Sequence, residues 1–414
     1  DDNTEVRPIS SGEVALDQAI NDLKTNLIMC NDTYYFNFTS APGDARAINV
    51  NATNLVIDCN GSHLIGNFSG RGMGFTNSQS GIVIRNCVLD NFNFAFSAVG
   101  WQMGDHYYID NAHIKPGNNF SFAGNYADNW TVANSIVEGR AKSGLCLDLY
   151  SQTDWNFTRN VLKGIRFNGN MIVDRNNISD FDSDCYCSGA NLTNNNFTAS
   201  MGIYGTNVSV VNNTFWNITD IHQNGGPSYY INNTFTGGSS RIEFNGDNLH
   251  VYNNTFDAVE ARTNLIQTRG WGAVMWNLDF RGNVLNCSGT DFCMDVFYNN
   301  NLGAKNISIV NNTFYEAYNY SILFENASGI NNISFNHFVD ANSMLYLWNY
   351  SGEGFEIKNN TFDNVSDTFI YFEEVNGTNI TANNFTGAST GLYMLDSNDS
   401  YIYDNIFNTL FFKN

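Results

Sequence analysis

Asp180, Asp182 and Asp184 alternate immediately ahead of Cys185, and alternation along an extended segment puts three carboxylates on one side. Oxygen ligands so placed suit a hard cation, so the trio could hold Ca²⁺. No glycine and downstream glutamate complete a calcium loop, and solvated turn aspartates are the plainer reading. Asp220 and His222, beside Asn224-Gly225-Gly226, have the types and spacing of an acid–base pair. An isolated Asp-x-His in a polar turn is commonly no more than that. The six histidines never cluster and the methionines form no string, so a copper site lacks its ligands. Trp101, Trp271 and Trp276 could form a sugar platform or simply fill core and interface. No catalytic set emerges, the expectation is a non-enzyme, and no cofactor is required.

Asparagine offers the most widespread chemistry. Sequons of the form Asn-x-Ser/Thr stand at Asn31, Asn37, Asn51, Asn60, Asn67, Asn119, Asn129, Asn156, Asn177, Asn191, Asn196, Asn207, Asn212, Asn217 and Asn232. They continue at Asn253, Asn286, Asn306, Asn311, Asn319, Asn326, Asn332, Asn349, Asn359, Asn364, Asn376, Asn379, Asn384 and Asn398. N-linked glycans on even a third of them require an extracytoplasmic chain with sugar-shielded flanks. Without glycan, Asn and Thr are good turn and strand-edge residues. The opening Asp1-Asp2-Asn3 reads as a start already processed by signal-peptide removal, which places the protein at the cell surface.

Eight cysteines fit an oxidising compartment: Cys30, Cys59, Cys87, Cys146, Cys185, Cys187, Cys287 and Cys293. Cys287 and Cys293 bracket a short segment and should clasp locally. Cys59 and Cys87 lie about one repeat apart and could bridge neighbouring coils, with Cys30 competing for either. Cys185 and Cys187 are too close for an easy mutual bond, which makes Cys146 a partner for one of them. No paired Cys-x-x-Cys offers a zinc set. With 19 basic against 40 acidic residues the net charge is −21, and no Lys/Arg cluster offers a nucleic-acid footprint. No apolar run approaches the ~18 residues that would span a membrane.

The element that must position these groups is a repeat. Asn-Asn-Thr-Phe recurs at Asn212–Phe215, Asn232–Phe235, Asn253–Phe256, Asn311–Phe314 and Asn359–Phe362. Degenerate copies mark the apolar position at Phe197, Leu285, Phe338, Phe385 and Phe407, with weaker ones at Val88, Ile136, Leu162 and Ile178. A period this short cannot hold a βαβ unit, but it fits one coil of a solenoid. Each copy follows a short β-type run such as Val208–Val211, so the Asn pair falls where a strand ends and the chain turns. Asparagine tolerates the left-handed backbone such a corner needs. Asparagines in register on successive coils can also bond side chain to side chain. The Phe should point inward and stack along the axis.

The spacing therefore predicts an all-β parallel β-helix over residues 31–414, headed by residues 1–30 as an extended arm and a capping helix. Ser10 and Glu13 have capping-box spacing, and Val14, Leu16, Ala19, Ile20 and Leu23 follow with helical periodicity. The repeat blurs between about Gly100 and Tyr126, read as an inserted loop or broken coils. Glu260–Leu278, carrying Arg269-Gly270-Trp271-Gly272, reads as a second insertion. At the far end Tyr401–Phe407 is still a repeat. Phe411 and Phe412 then either fold back over it or join another chain.

The run Leu55–Gly66, the Ile84-Arg85-Asn86-Cys87 that follows, and the Asn-Asn-Thr-Phe copies resemble the NosD-like right-handed parallel β-helix proteins abundant on archaeal cell surfaces. The resemblance covers about residues 50–410 and implies the fold and a surface location. It leaves function open among surface-layer components, adhesins, polysaccharide lyases or hydrolases and a copper-site maturation factor. In the hydrolases clustered aspartates protonate the leaving oxygen and activate water. Here Asp1-Asp2 is the only Asp-Asp pair and stands at the wrong end. The expectation is a glycosylated structural protein assembling with copies of itself into a filament, sheath or surface layer. A surface adhesin or carbohydrate-binding module, with surface polysaccharide as partner, is the alternative, and a polysaccharide lyase or hydrolase stands behind both.

Overall fold

A computed structural model describes residues 4–6, 20–36, 46–68, 70–75, 79–102, 104–116, 122–125, 128–138, 154–164, 167, 169–179, 185–198, 202–216, 220–223, 226–236, 242–257, 262–268, 277–296, 305–326, 328–350, 354–387 and 390–408. The chain divides into two compact units, Asp1–Ala199 and Ser200–Asn414. Each is a parallel β-solenoid, and the described residues contain no helix. In the second unit one coil runs Ser209–Val211, a corner at Asn212-Asn213, Thr214–Trp216, then Asp220–Gln223. These strands enter a first, second and third sheet. Each lies parallel to its equivalent in the next coil, as Val210↔Tyr230 and Phe215↔Phe235 illustrate.

Short β-branched and aromatic runs form the strands because one residue in two meets the interior. Ser209–Val211 shows Val210 buried between half-exposed neighbours, and Thr361–Asp363 does the same around Phe362. The inward phenylalanines stack as expected. Phe314, Phe338, Phe362 and Phe385 follow at centroid spacings of 4.9, 4.9 and 4.7 Å, which is the strand repeat. Two of the weaker marks are off by one residue. Leu89, Ile114 and Val137 face inward with Leu162 and Ile178, whereas Val88 and Ile136 share the outward register. With a period of two, a one-residue error reverses the face.

The amino-terminal expectation needs correction. Thr4–Val6 is no free arm; it pairs in parallel with Leu27–Met29. Ile20–Leu23, assigned to the end of a helix, is a strand on Arg46–Val50, and Leu23 is buried there. Its apolar spacing served a coil rather than a helix face. Ser10, Glu13, Val14, Leu16 and Ala19 lie outside the described residues. The stretch from Gly100 to Tyr126 holds ordinary coil strands at Phe94–Gln102, Tyr108–Asp110, His113–Pro116 and Phe122–Asn125. Of the second expected insertion, Arg262–Thr268 is a third-sheet strand, and Arg269, Trp271 and Trp276 lie outside the described residues.

Candidate functional site

The corner divides its two asparagines between two tasks. The first sits at positive φ: 56° at Asn212, 55° at Asn232, 54° at Asn253, 57° at Asn311 and 54° at Asn359. Its side chain points outward and is exposed. The second is buried and builds a spine through the second unit: Asn213, Asn233, Asn254, Asn283, Asn312, Asn336, Asn360 and Asn383, running on to half-exposed Asn405. Asn312 Oδ1 accepts from Asn283 N at 2.8 Å and from Asn283 Nδ2 at 3.0 Å. Its own Nδ2 donates to Phe280 O at 2.9 Å and to Asn336 Oδ1 at 3.0 Å. Every hydrogen-bonding atom of that buried amide is used, which removes the penalty for burying it.

This division bears directly on the sequons. No sequon asparagine with a described side chain is buried. None of the spine asparagines begins a sequon. Asn37, Asn119 and Asn217 have no described side chain. Acceptors already held by neighbours include Asn306, donating to Asn277 Oδ1 at 2.9 Å, and Asn286, donating to Asp257 Oδ1 at 2.9 Å. An Asn Nδ2 carries two hydrogens, so such a bond is compatible with a glycan in place of the other.

Cys59 bonds Cys87 and Cys287 bonds Cys293, at Cα separations of 4.9 and 5.3 Å. Neither Cys59 nor Cys87 takes Cys30. Cys185 and Cys187 are brought side by side at a Cα separation of 5.3 Å. The backbone bends enough there to bring the pair within reach. Cys146 lies outside the described residues, as do Asp180, Asp182, Asp184, Phe411 and Phe412. Asp220 and His222 fall on one third-sheet strand, but their side chains are not described. Among the described residues no three His, Cys, Asp or Glu side chains gather around a common point.

The fold does assemble a titratable chain that sequence reading missed. On the outward face of the first sheet, register aligns Tyr229, His250, Asp279 and Ser308 on successive coils. The Tyr229 and His250 rings stack at 4.7 Å. His250 Nδ1 meets Tyr252 Oη at 2.9 Å, and Tyr252 donates to Asp279 Oδ2 at 2.8 Å. Asp279 also pairs with Arg281. Tyr252 has one hydrogen and gives it to Asp279, so Nδ1–H of His250 is the donor to Tyr252 and Nε2 is left as the acceptor. Burial, then the bonded Asp279 carboxylate, pushes the Tyr252 phenol up to about 12, so it stays protonated at neutral pH. The network orients an imidazole on an open sheet face. Tyr229, His250 and Asp279 share one register column only once coils of unequal length are stacked, so spacing along the sequence gives no signal for it.

A second outward cluster lies on the third sheet. Asn264 Nδ2 and Gln267 Nε2 both donate to Asp295 Oδ2, at 2.8 and 3.0 Å, and all three side chains are buried. Glu325, on the following coil, has its carboxyl raised by burial and then by the charge of Asp295. Such a pairing of amides and carboxylates suits recognition of donor-rich ligands.

The last described coil differs from those before it. Ile402, Ile406 and Phe407 are 43%, 59% and 37% exposed, whereas Ile380 and Phe385, the register partners of Ile402 and Phe407 in the preceding coil, are fully buried.

No family model matches the chain, and no curated protein matches it. Among solved structures it is similar to the A-module of a mannuronan C-5 epimerase from Azotobacter vinelandii. The identity is 11% over 94% of this chain and 91% of that one, with a TM-score of 0.27. A surface adhesin of Streptococcus pneumoniae matches at 11% identity over 93% of this chain and 84% of that one, TM-score 0.20. The catalytic domain of an α-1,3-glucanase in complex with tetrasaccharides matches at 13% over 91% and 61%, TM-score 0.13. At these scores the likenesses carry no argument about activity.

Proposed function

We propose that this chain is a non-catalytic, N-glycosylated extracellular protein whose solenoid adds end to end to further copies, forming a cell-surface filament, sheath or surface layer of the NosD-like, archaeal type. The observation that carries this reading is the solenoid itself, whose coils pair edge to edge in parallel register, a contact that a further copy can extend. A head-to-tail contact of this kind propagates into a filament wherever its rotation does not close a ring. Sequon asparagines kept out of the interior and disulfides within the coils support an oxidising, extracytoplasmic setting. No described helix is long and apolar enough to cross a membrane. In this reading Ca²⁺ is an optional ligand at Asp180, Asp182 and Asp184, and nucleic acid is not a partner.

Electron microscopy of the purified protein, with and without Ca²⁺, tests it. Polymers are expected from the native chain, and single particles from the Ile402→Lys/Phe407→Lys double variant with an unchanged circular-dichroism spectrum. A native protein that stays monodisperse at high concentration in Ca²⁺ would sink the reading.

A further inference from the structure

We propose that the outward face of the third sheet in the second unit binds an extended, uncharged, hydroxyl-rich polysaccharide. Two separate observations carry this. The first is a ladder of rings from five successive coils: Phe292, Tyr320, Tyr346, Tyr371 and Tyr393. Their centroids are spaced 6.1, 5.1, 4.9 and 4.7 Å apart. Tyr346 stands between the fully buried Leu345 and Leu347, and Tyr371 between Ile370 and Phe372, so both point away from the core. The ladder is thus an external strip, half-buried for most of its length and 44% exposed at Tyr393. Tyrosine supplies rigid, amphipathic contact area at low entropic cost.

The second observation lies in the register columns that carry these rings: one reads Gln267, Asp295, Leu323, Tyr346, Tyr371 and Tyr393 from coil to coil, and its neighbour reads Asn264, Phe292 and Tyr320. Gln267 is 3% exposed and the adjacent Asn264 5%, yet Oε1 of one and Oδ1 of the other have no hydrogen-bond partner. Buried acceptors left unmet call for a donor. A ligand that serves both features must offer apolar C–H faces to the rings and hydroxyl donors to the amide oxygens. A pyranose chain lying along the coil axis does both, whereas an apolar peptide serves the rings alone. Charge narrows the choice further. Asp295, Glu325 and Glu373 flank the strip, and Glu373 accepts from Tyr346 Oη at 2.6 Å, so a carboxylated or sulfated polymer would meet like charge. The inference stands independently of end-to-end assembly.

Affinity electrophoresis of the full chain tests it, in gels containing hydroxyethyl-cellulose, guar galactomannan or pullulan, with polygalacturonate as the anionic comparison. At least one neutral polymer is expected to slow migration, and polygalacturonate to leave it unchanged. Tyr371→Ala/Tyr393→Ala should weaken binding at least tenfold and Gln267→Leu about fivefold, each checked for folding by circular dichroism. Trp216→Ala, an exposed ring on the second sheet, should bind as the native chain does. Failure of all three neutral polymers, preference for polygalacturonate, or undiminished binding by the tyrosine double variant each overturns the proposal. So does an equal loss in Trp216→Ala, or a double variant that alters only the protein's own sedimentation, which would make the strip a protein-docking surface.

Discussion

The two units turn the same corner with different residues. In the second unit the buried corner position is asparagine in every described coil from Asn213 to Asn405. In the first unit the corresponding column, traced by its backbone bonds, reads Ser62, Cys87, Ala112, Ser135, Asn160, Asn176 and Asn195. The difference shows what the position requires. The corner N–H points along the axis and needs an acceptor from the next coil. Ser135 Oγ supplies one to Ala112 N at 3.0 Å, and Asn160 Oδ1 supplies one to Ser135 N at 2.8 Å. Asparagine alone accepts from one coil while donating to both neighbours, so it propagates. The cores differ in parallel. Tyr107, Trp130 and Trp155 stack at 4.1 and 4.9 Å in the first unit, where the second relies on phenylalanine.

Four substitutions or titrations would break or sharpen this contrast. The largest effect belongs to Phe338→Ala, which empties a site stacked on both sides. A loss of about 3–5 kcal/mol is expected, read from the denaturant midpoint. A loss under about 1 kcal/mol would mean the stack relaxes into the gap. Next comes the corner itself. Asn312→Leu strands the Asn283 N–H, the Phe280 carbonyl and both neighbouring amides and should cost about 3 kcal/mol, against about 1 kcal/mol for Ser135→Ala, where only the Ala112 N–H and the Ala133 carbonyl lose a partner. Equal effects would refute the idea that asparagine does more than serine here. Smaller again is Asn359→Ala, which places an ordinary side chain at φ 54° and should cost about 1 kcal/mol, with Asn359→Gly close to neutral.

The smallest effect is a pH dependence confined to the first unit. Burial, then Lys115, lowers the His113 pKa, with Glu138 opposing. The folded state therefore binds the proton less readily than the unfolded chain. This contribution is complete above the ordinary histidine value of about 6.5 and is lost as pH falls below it. Denaturation midpoints between pH 7.5 and 5 should decline, and His113→Gln should flatten part of that decline. An unaltered slope in the variant would remove His113 from the account.

Most of the coil was legible beforehand because its cause is local. A strand–corner–strand with one inward side chain in two leaves its mark in four consecutive residues, and Phe215, Phe235 and Phe256 stack where that mark places them. The Cys59–Cys87 and Cys287–Cys293 bonds were legible for the same reason, one coil or one turn apart. The errors arose where local pattern was ambiguous. Apolar spacing around Ile20 and Leu23 fitted a helix as well as a coil, and Val88 sat one residue from the true inward position. The Tyr229–His250–Tyr252–Asp279 chain and the tyrosine strip were not legible. Their members neighbour one another across coils of unequal length, between 20 and 29 residues along the spine.

By itself, then, the order of residues determined the period, the left-handed corner and the inward apolar row. Each follows from steric preference within a few peptide units. The tertiary structure alone decided which asparagine of each pair is buried. A left-handed residue turns adjacent side chains to opposite sides, and only the coils on either side supply the carbonyl and the amides that satisfy the inner one. It also decided which outward groups meet, since coil length varies and register, unlike spacing, is set by the whole stack.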